Sequence, residues 1–113
     1  MTNCIFCRIV SGQIPSKRVH EDAEVVAFED ANPAAPTHIL VVPRRHLATL
    51  DDSSDADAGL LGRLVVVARQ IAAKRDLAGG YRLVMNVHAG AGQSVFHVHL
   101  HVLGGRTFGW PPG

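Results

Sequence analysis

Val95-Phe96-His97-Val98-His99-Leu100-His101-Val102-Leu103 alternates imidazole with aliphatic side chains through its centre. A period of two is that of a β-strand, whose successive side chains point to opposite faces. Residues 95–103 are therefore expected to form a strand, with Val98, Leu100 and Val102 turned to a core and His97, His99 and His101 to the other face. Residues two apart on one face stand about 6.5 to 7 Å apart, so adjacent imidazoles can meet one small group. Packing gains nothing from three rings that must each satisfy two nitrogens. The pattern points to chemistry, either nucleophilic and acid–base work or a tri-histidine metal centre, since imidazole also ligates zinc and other divalent ions.

The loop just upstream, His88-Ala89-Gly90-Ala91-Gly92-Gln93-Ser94, narrows the choice. Gly90, Gly92 and Ser94 offer pliant backbone N–H groups and a hydroxyl, a suitable cradle for phosphate oxygens. A glycine loop alone more commonly makes a turn; beside three histidines it points to phosphorus. A neutral imidazole is a competent nucleophile near neutral pH, and a second one can stabilise charge or transfer a proton.

Working outward, residues 81–87 read as the preceding strand, and Gly79-Gly80 ends the element before it. Residues 54–74 read as the one long helix, with Ser54 and Asp57 as a capping box and an apolar stripe of Leu60, Leu61, Leu64, Val67, Ala68 and Ile71. Residues 37–42 are a strand stopped by Pro43, preceded by the loop 32–36, whose prolines exclude helix. Residues 18–21 and 24–28 pair as a hairpin across Asp22-Ala23. Residues 5–10 form a short helix ended by Ser11-Gly12. About five strands, mostly sequential neighbours, with one long and one short helix predict an α+β domain built on an antiparallel sheet, a single domain spanning residues 1–113.

Eleven basic against ten acidic residues in 113 leave a net charge of +1, too weak a field for a nucleic-acid or membrane-surface binder. Arg44-Arg45-His46 is the densest basic cluster and is too small to change that. No apolar run is long enough for a membrane span and no secretory leader is apparent, so a cytoplasmic protein is expected. Cys4 and Cys7 are too close to staple the chain, in keeping with a reducing compartment. Their Cys-x-x-Cys spacing suits zinc chelation, a redox pair or two small buried hydrophobes. A tetrahedral site needs two more ligands, for which His46 is a natural candidate. No thioredoxin-like context supports the redox reading, and the pattern assigns no role to His20 or His88.

Gln93-Ser94-Val95-Phe96-His97-Val98-His99-Leu100-His101-Val102-Leu103 resembles the signature of the histidine triad family, His-x-His-x-His followed by apolar residues. The likeness extends through Ile5-Phe6, Ile14-Pro15, Phe28 with Asp30, residues 35–43, Tyr81-Arg82 with Asn86, and Leu103-Gly104-Gly105-Arg106 to Trp110-Pro111-Pro112-Gly113. That ending resembles the Hint branch, the histidine triad nucleotide-binding proteins, more than the Fhit-like or uridylyltransferase branches. A transferase would be expected to carry glutamine where this chain has His101.

The resemblance implies a purine nucleoside 5'-phosphoramidate hydrolase that cleaves a phosphorus–nitrogen bond and releases the nucleoside monophosphate. By position, His99 is the nucleophile and His101 contacts the phosphate. His97 and His38 support a hydrogen-bond relay, and Ser94 and Gly92 bind the phosphate and leaving group. Asn86 binds a phosphate oxygen, Asp30 the ribose hydroxyls, and Phe6, Phe28 and Leu40 wall the base pocket. Family members tend to be homodimers, in which Trp110 would be an arm toward the partner's site. Relatives with the same Cys-x-x-Cys and Pro-x-x-His elements bind structural zinc, here through Cys4, Cys7, His46 and His97; a zinc-bound His97 could not serve freely in a relay. Three alternatives stand beside this reading: a nucleotide-binding adaptor with little catalysis, a Fhit-like dinucleoside polyphosphate hydrolase, and a metal-dependent hydrolase with the triad as its metal centre.

Overall fold

A turn built from one carboxylate starts the sheet. The Asp22 carboxylate accepts from the N–H groups of Glu24 and Val25 at 2.8 and 2.9 Å, which folds strand β1 (Arg18–Glu21) back onto β2 (Val25–Glu29). β2 continues the ladder into β3 (Thr37–Pro43). Helix α1 (Ile5–Val10) precedes the hairpin, and α2 (Ala58–Lys74), β4 (Tyr81–Val84) and β5 (Leu100–Gly104) complete the chain. The computed structural model describes residues 3–113. The five strands form one antiparallel sheet in the order β1-β2-β3-β5-β4, so the last strand inserts between β3 and β4.

The sheet buries both faces. Leu64, Val67, Ala68, Ile71 and Ala72 of α2 pack on Val25, Ala27, Ile39, Val41, Leu100 and Val102, with Val98 joining them. On the opposite face α1 lays Phe6 and Ile9 over Val26, Phe28, Leu40 and Val42. With α1 and α2 on opposite faces, β2 and β3 are apolar at nearly every position rather than at alternate ones. Among the described residues no helix is long and apolar enough to cross a membrane.

The α+β class, the long helix and the short one agree with the sequence reading; several boundaries do not. The expected strand 95–103 enters the sheet only at Leu100. β3 and β5 pair from Thr37↔Gly104 to Val41↔Leu100, and the same register would next engage Pro43, which has no N–H to give. The Val98 N–H goes instead to the Leu47 carbonyl at 2.7 Å. Alternation survives outside the ladder: Val98 faces the α2 core, while the His97 and His99 side chains, 0% and 6% exposed, are buried as well. The strand expected over 81–87 stops at Val84. At the other end of the chain's middle, the Asp57 carboxylate does accept from Ser54 N–H at 2.9 Å, but this closes a 3-10 turn, Asp55–Asp57, and the α-helix begins at Ala58.

Candidate functional site

Three backbone groups, of Ala34, His97 and Pro43, assign the ring tautomers. The Ala34 N–H donates to His38 Nδ1 at 2.9 Å, so the His38 proton sits on Nε2. That nitrogen donates to His101 Nδ1 at 2.8 Å and lies 3.3 Å from an Asp30 carboxylate oxygen. His101 then carries its proton on Nε2, a buried atom with no hydrogen-bond partner among the described residues. Its neighbour His99 lies 5.0 Å away between ring centroids. His99 Nδ1 donates to the His97 carbonyl at 2.7 Å, which leaves a bare lone pair on His99 Nε2. A nucleophilic nitrogen and an N–H donor therefore stand side by side.

Burial holds the His38, His97 and His101 rings neutral. Desolvation, then the neighbouring His99 and His38, push His101 down to about 4, against the pull of Asp30. Burial likewise lowers His38, with Asp30 opposing. His97 is lowered by burial first, with the Pro43 carbonyl working the other way and His46 and His99 adding to the fall. At neutral pH His101 offers a proton-bearing nitrogen without a positive charge.

The ring of His97 belongs to a different cluster. Its Nε2 donates to the Pro43 carbonyl at 2.7 Å, leaving Nδ1 bare and directed at Cys4 Sγ and Cys7 Sγ, both at 3.4 Å, and His46 Nδ1 at 3.2 Å. Cys7 Sγ is 3.3 Å from His46 Nδ1. A tetrahedral ion about 2.3 Å from sulfur and about 2.0 Å from nitrogen spaces S and N by about 3.5 Å and two N by about 3.3 Å. Cys4, Cys7, His46 and His97 meet those spacings and could hold a metal ion. Neither cysteine is fully buried, and Cys4 packs at the edge of the cluster that α1 forms on the sheet. The three histidines of the run do not themselves converge as ligands. Among the described residues the other convergent group is Asp30, His38 and His101, whose close approach is that of the hydrogen-bonded relay.

His97 thus meets His99 through its carbonyl, while its ring stands apart from the His38–His101 relay. Phe6 stacks edge-on against His99 at 5.0 Å and Phe28 at 5.4 Å, and Leu40 is buried opposite His101 in the ladder. Asp30 touches His38 and also accepts from the Asn32 N–H at 2.8 Å. A Cβ on Gly92 would meet the Asn86 amide at 3.8 Å, which places these two phosphate candidates together. Ser94 is exposed and lines a cavity of about 420 Å³ with Asn3, Cys4, Ile5, His46, Val95 and Phe96. Trp110, 84% exposed on the tail, is not packed into the histidine cluster of its own chain.

Sequence reading missed Gln93, which is 4% exposed and organises the loop. Its carbonyl accepts from His88 N–H at 2.8 Å, and its amide donates to the carbonyls of Ala48 at 2.7 Å and Val95 at 3.1 Å. A polar residue between a glycine loop and an apolar run was the only available signal. Ala34 and Pro43, which act through backbone atoms, carry no side-chain signal. His20 and His88 are occupied with Asp22 at 2.7 Å and Asp51 at 2.6 Å.

The sequence pattern of the HIT domain matches residues 11–108. The chain belongs to the HIT family. An uncharacterized HIT-like protein of Synechocystis is 46% identical over 109 residues, covering 96% of each chain. A HIT family hydrolase from Legionella pneumophila superposes with a TM-score of 0.96 at 49% identity, over 98% of this chain and 100% of that one. A histidine triad nucleotide-binding protein from Candida albicans gives 0.83 at 32% identity, over 96% of this chain and 83% of its own. The five-stranded antiparallel sheet with one long helix is accordingly the α+β HIT fold.

Proposed function

We propose that this HIT protein is a purine nucleoside 5'-phosphoramidate hydrolase of the Hint branch, acting as a single domain in a homodimer and braced by a structural zinc. The observation that carries the reading is the tautomer pair: a bare His99 Nε2 beside the buried, proton-bearing His101 Nε2, which has no hydrogen-bond partner among the described residues. Together they suit attack on a phosphoryl centre whose oxygens need a donor.

In the first step the His99 Nε2 lone pair forms a bond to the α-phosphorus, the phosphorus–nitrogen bond breaks, and the amine departs after taking up a proton from solvent, which the water of the second step returns. Water then displaces His99 from the nucleotidyl-histidine, releasing the nucleoside monophosphate and restoring the bare nitrogen. His101 donates to a phosphoryl oxygen, and His38 holds it in the donating tautomer. Ser94 and the Gly92 backbone bind phosphate and leaving group, Asn86 a phosphate oxygen and Asp30 the ribose, with Phe6, Phe28 and Leu40 at the base. Trp110, exposed on the tail, would reach the partner's site.

Cys4, Cys7, His46 and His97 fit zinc by donor type and spacing, and the ion would brace the site without joining the chemistry. A reducing compartment such as the cytoplasm keeps both thiols available as ligands. The deciding experiment follows nucleoside monophosphate release from a fluorogenic adenosine 5'-phosphoramidate. His99→Ala is expected to bind nucleotide without turning the substrate over. Substantial residual release by that variant would refute the reading.

A further inference from the structure

The thiol cluster and the nucleophilic ring share one residue. His97 places its ring among Cys4, Cys7 and His46 and its carbonyl at His99 Nδ1, 2.7 Å away. We infer that Cys4, Cys7 and His46 are positioning residues for His99, holding the His97 ring and the N-terminal end of α1 so that the attacking nitrogen keeps its tautomer and its place. The inference rests on the phosphoramidate reading for what His99 attacks, and on geometry alone for how the ring is held.

One route runs through the backbone of His97. The donation from His97 Nε2 to the Pro43 carbonyl requires a bare Nδ1, and that nitrogen faces two sulfurs and a second imidazole nitrogen at 3.2 to 3.4 Å. Lone pairs converging this closely repel unless a cation or added protons lie between them. A cation preserves the tautomer. In its absence the thiol protons must fill the gap, and the ring loses the anchor that aims Nε2 at the Pro43 carbonyl. The peptide that presents the His97 carbonyl is then held by the bond from Val98 N–H to the Leu47 carbonyl at 2.7 Å.

The other route runs through α1. A helix of six residues does not sustain itself in water, and here its two ends are held by different means. At the C-terminal end the Arg18 guanidinium donates to the carbonyls of Ile9 and Val10 at 2.6 and 3.1 Å. At the N-terminal end Cys4 and Cys7 reach the cluster. Phe6 lies between those two cysteines and meets His99 edge-on at 5.0 Å with the planes 86° apart. The cluster therefore controls His99 from two sides, through the carbonyl at Nδ1 and through the aromatic edge at the ring.

The test compares zinc-loaded wild type with His46→Ala and His46→Cys, because His46 is exposed and its removal opens no core cavity. Three quantities are read: Zn²⁺ bound per chain, the ¹⁵N shift of His99 Nε2, and kcat and KM on the fluorogenic adenosine phosphoramidate. His46→Ala is expected to weaken zinc binding at least tenfold and to move the His99 Nε2 signal from the bare-nitrogen position toward a tautomer average. Its kcat should fall about tenfold or more with KM within about twofold, since a misplacement of about 1 Å costs about a hundredfold in rate. His46→Cys, which restores a ligand, should recover all three. Stripping wild type with a chelator and returning Zn²⁺ makes the same comparison without a substitution, which covers a variant that fails to fold. Loss of zinc with the His99 signal and kcat unchanged overturns the inference, as does a wild type that binds no zinc. If wild type shows no turnover, the phosphoramidate reading fails, and the ¹⁵N signal still decides whether the cluster positions His99.

Discussion

Replacing His101 by glutamine removes one titrating imidazole from the folded core, and its consequence for acid stability can be worked from the structure. In the fold His101 is pushed down to about 4 from 6.5 by burial and by His99 and His38, with Asp30 pulling the other way. As pH falls the unfolded chain therefore takes up this proton first. The contribution is fully present above pH 6.5 and is lost as pH falls toward 4. A difference of one bound proton changes stability by about 1.4 kcal/mol per pH unit, and integrating between pH 7.5 and 4.5 gives about 2.5 kcal/mol. The assay is urea unfolding followed by circular dichroism at pH 7.5, 6.5, 5.5 and 4.5, with Zn²⁺ equal in all samples. His97, also lowered by burial, contributes to the fall in both proteins and cancels in the comparison. Wild type should lose about 2.5 kcal/mol more than His101→Gln over this range. Parallel curves, or a variant that is the more acid-sensitive, would refute the reasoning.

Other substitutions test other parts of the frame. Gln93→Leu leaves the His88 N–H and the carbonyls of Ala48 and Val95 without their partner, and should destabilise by about 2 to 4 kcal/mol in urea unfolding. Gly105→Ala puts a Cβ at φ +88° and 2.8 Å from the Pro36 Cβ; at about 1 to 2 kcal/mol for the left-handed backbone alone, the melting temperature should drop by at least about 4 °C. His38→Ala removes the acceptor of the Ala34 N–H and the donor that sets the His101 tautomer. Steady-state kinetics should show kcat down about ten- to a hundredfold, as for the loss of a group that orients a reacting ligand.

Much of the frame was legible because periodicity is a local property. The alternation at residues 97–102 placed the three histidines on one face, the apolar stripe marked α2, and Cys4 with Cys7 and His46 suggested a ligand set. Strand ends were read less well. Where β5 begins depends on Pro43, a residue of the neighbouring strand that cannot donate to the ladder. Gln93 went unread because its role depends on the Ala48 carbonyl, distant in sequence and brought to it by folding, which ties the loop's own contacts at residues 88 and 95 to the rest of the fold.

Which chemistry-bearing side chains share a face follows from the chain alone, since a period of two is written in neighbouring residues. Only the tertiary structure divided their work. His97 turns its ring to the cysteines, His99 keeps a bare Nε2, and His101 carries a buried N–H. Those differences are set by backbone groups of Pro43, His97 and Ala34. An imidazole's tautomer follows from whether the atom facing each nitrogen donates or accepts; Ala34 and His97 stand near their histidines along the chain, whereas folding brings Pro43 to His97 and His38 to His101.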